Sequence, residues 1–176
     1  MIPFIAHMLM VAAKAVFTAF TQTLTADEAG WSGYSMRDIT TSTLSAGGAE
    51  VRVTFEAPAS GSTVADHAAI GVFAGTNADT NATPVELKFS GSSGFTITNG
   101  AQIVSDWATL TTTTANKLVV IVDHNGSSGG TVRKLSPVAS GNNLYKTGAT
   151  YTQATPAGLS GGGGNTTYFF NKIEVR

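Results

Sequence analysis

The sequence predicts an all-β fold, an antiparallel β-sandwich of jelly-roll-like form, carrying one N-terminal apolar α-helix. Three observations predict it. Alternating apolar and polar residues recur from residue 50 onward, turn signals rich in Gly, Ser and Asn separate them about every ten residues, and residues 2–20 are almost wholly apolar. Composition agrees, with 26 Thr, 15 Ser and 20 Gly in 176 residues and only 12% charged residues. An ordinary soluble domain carries about 25% charge; β-branched Thr suits a half-buried pleat and Gly suits turns that need positive φ. These patterns divide the chain into an apolar helix at 1–22, a linker at 23–30 and a β-sandwich domain at 31–176.

In the N-terminal segment the only proline, Pro3, falls where a first helical turn tolerates it. On a helical wheel His7, Lys14 and Thr21 recur every seven residues with Thr18 beside them, leaving one narrow polar stripe. Such a helix needs cover from other protein chains, from its own domain or from a membrane. No basic residue precedes the apolar run as a secretory signal requires, and Lys14 would cost about 2.5–3.5 kcal/mol at mid-bilayer, which argues against a membrane. The expectation is therefore burial between proteins through Phe4, Ile5, Met8, Leu9, Val11, Val16, Phe17 and Phe20, each contributing about 1.5–3 kcal/mol when covered.

The β body opens with Trp31 and has its plainest strand at Glu50–Glu56, where Val51, Val53 and Phe55 share one face. Pro84–Phe89 repeats the alternation. Lys117–Val122 is apolar at every position after the lysine and belongs in the middle of a sheet, covered on both faces. Shorter strands are expected at 36–44, 68–73, 94–98, 102–109, 131–135, 143–145 and 167–175, the last pairing with an early strand.

Charge and chemistry exclude more than they select. A net charge of −1 with scattered basic residues gives no footprint for nucleic acid, and the absence of cysteine removes disulfides and thiolate metal sites. Gly126-Ser-Ser-Gly-Gly130 matches G-x-S-x-G, but a strand rather than the required helix follows, so Ser128 reads as part of a hairpin loop. Asp66-His67 and Asp123-His124 lack the ligand density of a calcium or zinc site. The sequence thus implies no enzyme, no cofactor and no metal. Trp31, Tyr34, Trp107, Tyr145 and Tyr151 are the candidate glycan contacts, because flat rings cover the apolar faces of sugars; the competing reading places them in the core.

Trp31-Ser-Gly-Tyr-Ser-Met-Arg37, Leu44-Ser-Ala-Gly-Gly48, Val51-Arg-Val-Thr-Phe-Glu-Ala-Pro58, Ala69-Ile-Gly71 and Val104-Ser-Asp106 together resemble a β-sandwich module of phage and prophage virion surface proteins from alphaproteobacteria. The resemblance covers residues 31–122 and implies a virion structural protein: a head decoration, collar, spike or short fibre component, anchored by the helix to copies of itself and other virion proteins, with host glycan as a further partner. It transfers no catalytic residue. The alternative is a carbohydrate-binding module of a membrane-anchored or secreted bacterial protein.

Overall fold

The computed structural model describes residues 13–124, 130–137, 143–161 and 166–176. In chain order the strands are β1 (Phe17–Thr21), β2 (Ala26–Ala29), β3 (Tyr34–Ile39), β4 (Gly48–Glu56), β5 (Ser62–Ala65) and β6 (His67–Val72). There follow β7 (Val85–Leu87), β8 (Phe95–Thr98), β9 (Gln102–Val104), β10 (Ala108–Thr112) and β11 (Leu118–Asp123). The last five are β12 (Thr131–Leu135), β13 (Asn143–Thr147), β14 (Ser160–Gly161), β15 (Thr167–Tyr168) and β16 (Phe170–Val175).

Two antiparallel sheets face each other. One has the order β1-β16-β4-β10, with β9 also pairing β4; the other runs β14-β13-β3-β11-β6-β7. Alternation along β4 sends Val51, Val53 and Phe55 inward, all fully buried, against Ile173 and Val175 of β16 and against Met36, Ile70, Val120 and Val122 of the opposite sheet. Phe55, Phe89 and Phe95 close one end of this core, with ring centroids 4.7–5.7 Å apart. The apolar run after Lys117 falls in β11 between β3 and β6, where every residue from Leu118 to Asp123 is buried. Its outward residues Val119 and Ile121 lie under a second small core completed by Ile39, Ala69 and Ala78.

Ala78 arrives on the loop after β6, and that loop sits close to the sheet because residue 71 is glycine: a Cβ there would stand 2.5 Å from Thr80 Cγ2. Arg37, fully buried on β3, clasps this loop and the one after β13 by donating to the carbonyls of Ala78, Ala154 and Gln153. Burial pulls its pKa down to about 10, against the opposing fields of Asp123 and Asp79, so it stays charged at neutral pH. A three-stranded sheet, β15-β12-β2, and the pair β5-β8 complete the fold.

The expected N-terminal helix is corrected by this structure. Among the described residues there is no helix, and Phe17–Thr21 is a strand paired antiparallel with β16. Phe20, expected at an intermolecular interface, is buried in the molecule's own core with its ring 5.8 Å from Phe170. Val16 and Phe17 are exposed, whereas Phe4, Ile5, Met8, Leu9 and Val11 lie outside the described residues, as does His7 of the polar stripe. Lys14 pairs with Glu50 of β4 instead of marking a helical stripe. The virion-component reading depended on that anchoring helix and falls with it. No helix of the described residues is long and apolar enough to cross a membrane.

Candidate functional site

Two glycines shape the start of the site. Gly30 and Gly33 adopt φ of +95° and +74°, turning the chain between β2 and β3 so that it docks on the end of β11: Gly33 N–H donates to the His124 carbonyl at 2.7 Å, and His124 N–H donates to the Tyr34 carbonyl at 2.8 Å. The turn presents Trp31 and begins β3 at Tyr34. Across the β3–β13 ladder Thr147 lies opposite Tyr34 and Tyr145 opposite Met36, which makes Tyr145 the diagonal neighbour of Tyr34 on the same face.

The three rings meet edge to face. Centroids are 5.7 Å apart for Trp31–Tyr34 and Trp31–Tyr145, and 5.2 Å for Tyr34–Tyr145. Tyr168 packs on Trp31 from the core side, 5.4 Å away. Trp31, Tyr34 and Tyr145 line one pocket of about 200 Å³ together with Glu28, Ala29 and Gly30. All three rings are half-buried, so they are held by packing yet border open space.

Glu28 supplies the charge. It stands on β2 opposite Val132, where its Oε2 accepts from the Tyr168 hydroxyl at 3.1 Å and pairs with Lys134. Burial, then the Glu28 carboxylate, push the Tyr168 hydroxyl well above its ordinary pKa, so it remains a donor. No described residue accepts a hydrogen bond from the buried Trp31 Nε1. One wall is thus aromatic and the other carries a carboxylate whose orientation is fixed by two partners on one oxygen.

Two sequence-derived candidates lie elsewhere. Trp107 is on the outer side of the five-stranded sheet, with the guanidinium carbons of Arg52 and Arg176 at 4.7 and 4.3 Å from its ring centre, so cations already occupy the surface a sugar would use. Tyr151 stacks on His67 at 4.4 Å and donates its backbone N–H to Asp123, on the outer side of the six-stranded sheet. His67 in turn contacts Glu86 at 3.1 Å. No group of three or more metal-ligating side chains occurs among the described residues, and Ser128 lies outside them.

Two other pockets are larger. One of about 280 Å³, bordered by Gly71, Asn81, Leu110 and Asn116, holds no aromatic or ionisable side chain; the other, of about 240 Å³, is polar and bordered by Asn77, Asp79 and Pro156. Neither joins an aromatic wall to a charge. Sequence reasoning missed Glu28 and Tyr168, the first because Ala26–Ala29 reads as a linker and the second because residues 167–175 read only as a closing strand. The available signal was the spacing of Asp27-Glu28 against Arg133-Lys134, which fits a cross-strand pairing of opposite charges. No protein-family model matches the chain, and no curated protein is significantly similar to it.

Proposed function

We propose that the protein is a non-enzymatic carbohydrate-binding module of a secreted or envelope-attached bacterial protein. The observation that carries this reading is the convergence of Trp31, Tyr34 and Tyr145 with Glu28 on one pocket. Aromatic rings cover the C–H faces of a sugar, and a carboxylate accepts from its hydroxyl groups, so apolar area and direction come from adjacent walls. The residues sit on strands or on a glycine-shaped turn tied to β11, which holds the site ready for its ligand at little ordering cost.

Glycan-array binding followed by calorimetry tests the proposal. Tyr145→Ala and Glu28→Gln are each expected to weaken the selected glycan about tenfold or more, while Trp107→Ala and Tyr151→Ala bind as the parent does. Equal loss in Trp107→Ala, or undiminished binding in Tyr145→Ala, refutes the assignment.

A further inference from the structure

A second cleft lies at the far end of the six-stranded sheet from the aromatic pocket. Tyr34 is hydrogen-bonded to His124, just past the Asp123 end of β11, whereas Val72 pairs with Leu118 at the opposite end. There a cleft of about 280 Å³ opens between Val72 of the six-stranded sheet, Leu110 of the five-stranded sheet, the loop carrying Asn81 and the turn carrying Asn116. Pockets for drug-sized ligands run to about 300–1,000 Å³, so this one suits a single sugar residue or a smaller group.

Its lining selects a ligand. The floor is apolar, because Val72 and Leu110 are partly buried and rest on the main core. The rim carries amides held in place. Asn81 is tied back to β6, its backbone N–H donating to the Val72 carbonyl at 2.9 Å. Asn116 has a fixed orientation: Oδ1 accepts from the Thr113 N–H at 2.8 Å and from the Thr113 hydroxyl at 3.3 Å, which leaves Nδ2 as a donor with no acceptor among the described residues. No charged side chain among the described residues lines the cleft, and the neighbouring Lys117 is engaged with the Thr41 carbonyl at 3.4 Å.

An ion gains nothing from such a lining, and a plain sugar would set hydroxyl groups on an apolar floor at a cost. A neutral acetamido group matches both parts: its methyl covers Val72 and Leu110, and its carbonyl oxygen accepts from Asn116 Nδ2. Thr83 and Thr111, both exposed, add hydroxyl groups at the mouth, which suit a hydroxylated ring better than the aliphatic stem of an acetylated lysine. We propose that this cleft is a second binding site, for the acetamido group of an N-acetylated sugar. That the carrier is a sugar rests in part on the function proposed above.

The test records amide and methyl NMR spectra of the full chain as N-acetylglucosamine is added, with glucose and Nε-acetyllysine as controls. N-acetylglucosamine should saturably shift the Val72 and Leu110 methyl signals and the Asn116 side-chain amide, and glucose should bind at least about tenfold more weakly. Asn116→Asp keeps the acceptor that Thr113 needs but replaces the donor, so binding should fall about tenfold while the spectrum stays native. Ala82→Trp, at an exposed position on the mouth, should fill the cleft and abolish binding, and Tyr145→Ala should leave it unchanged. No saturable shift in folded protein, equal affinity for glucose, or undiminished binding in Asn116→Asp overturns the proposal. Tighter binding of Nε-acetyllysine overturns it too, by making the cleft a peptide site. If N-acetylglucosamine binding is lost in Tyr145→Ala and kept in Asn116→Asp, the sugar sits in the aromatic pocket, so the second site fails and the carbohydrate function stands. If the cleft binds as expected and no glycan responds to Tyr145→Ala or Glu28→Gln, the second site stands and the aromatic pocket fails.

Discussion

Asp38 is a carboxyl group in the middle of the sandwich, 1% exposed, where β3, β13 and β15 meet. Its Oδ1 accepts from Asn143 Nδ2 at 2.9 Å and from Tyr168 N–H at 3.2 Å, yet Asn143 Oδ1 beside it has no partner among the described residues. Burial raises its pKa well above the ordinary carboxyl value, outweighing those hydrogen bonds. The sign follows from linkage. Below about pH 3.9 folded and unfolded chains both carry the proton and Asp38 costs nothing; above it the unfolded chain releases the proton first, so stability falls until pH passes the raised folded value. Asp38→Asn removes the titration and adds a donor that suits the unpartnered oxygen. Urea unfolding at a series of pH values should show parent and variant converging near pH 3 and the variant increasingly more stable above pH 5 or so. A constant difference across that range would mean that Asp38 is not held neutral. His124 works in the opposite sense: burial depresses its pKa, so stability is intact above about pH 6.5 and falls as pH drops toward the lowered folded value. His124→Asn should flatten that acidic limb while costing about 1–3 kcal/mol throughout from lost packing against Phe169, whose ring is 5.2 Å away.

Strand β1 shows why part of the fold is hidden from pattern reading. Val16-Phe-Thr-Ala-Phe-Thr21 has no period-two alternation, and its alanine and its continuity with residues 2–15 favour a helix. In the sheet a register shift between Thr18 and Phe20 lets the consecutive residues Ala19 and Phe20 both face the core. Pairing with β16 thus overrides local preference. Phe20→Ala should therefore cost about 3–5 kcal/mol in chemical denaturation, as for a filled core position, and Phe17→Ala, at 54% exposure, less than about 1 kcal/mol. Similar costs for both would instead fit a helix packed all round. Strand β2 was hidden for another reason. Ala26-Asp-Glu-Ala29 has poor strand formers, and its place depends on Arg133 opposite Asp27, joined at 2.8 Å, and on Lys134 reaching Glu28. What was legible needed no distant partner: the alternation of β4 and the unbroken apolar run of β11. The candidate site divides in the same way. Trp31, Tyr34 and Tyr145 were visible as aromatic residues in the sequence, but their meeting depends on the β3–β13 register and on two glycine turns, and Glu28 depends on a strand that only tertiary pairing creates.

At the scale of the whole molecule, the six-stranded sheet is covered on both sides, and among the described residues no third layer of regular structure does the covering. Its inner side packs on the five-stranded sheet, and its outer side is covered by two loops that Arg37 joins through three carbonyl groups. The clasp explains how Ile39, Ala69, Val119 and Ile121 stay out of water beneath irregular chain. It also binds the fold through a buried charge, an arrangement in which removing one partner leaves the others with unmet hydrogen bonds. Arg37→Met, similar in length but unable to donate, is expected to cost about 3–5 kcal/mol. Hydrogen exchange should locate that cost. Amides tied into the two loops, such as Thr80, which donates to Ala154 O at 2.9 Å, and Ala74, which donates to Asp79 O, should lose protection first, followed by the outward-facing residues of β11. Amides of β4 and β16 do not depend on the clasp and should exchange only as fast as the lowered global stability allows. If protection falls uniformly over both sheets, Arg37 acts as one more contact in a single cooperative core. If the loops open alone, the outer cover is a separate, weaker unit laid over the sandwich, and the packing of Tyr34 and Tyr145 on the inner side of the sheet should survive when that cover is gone.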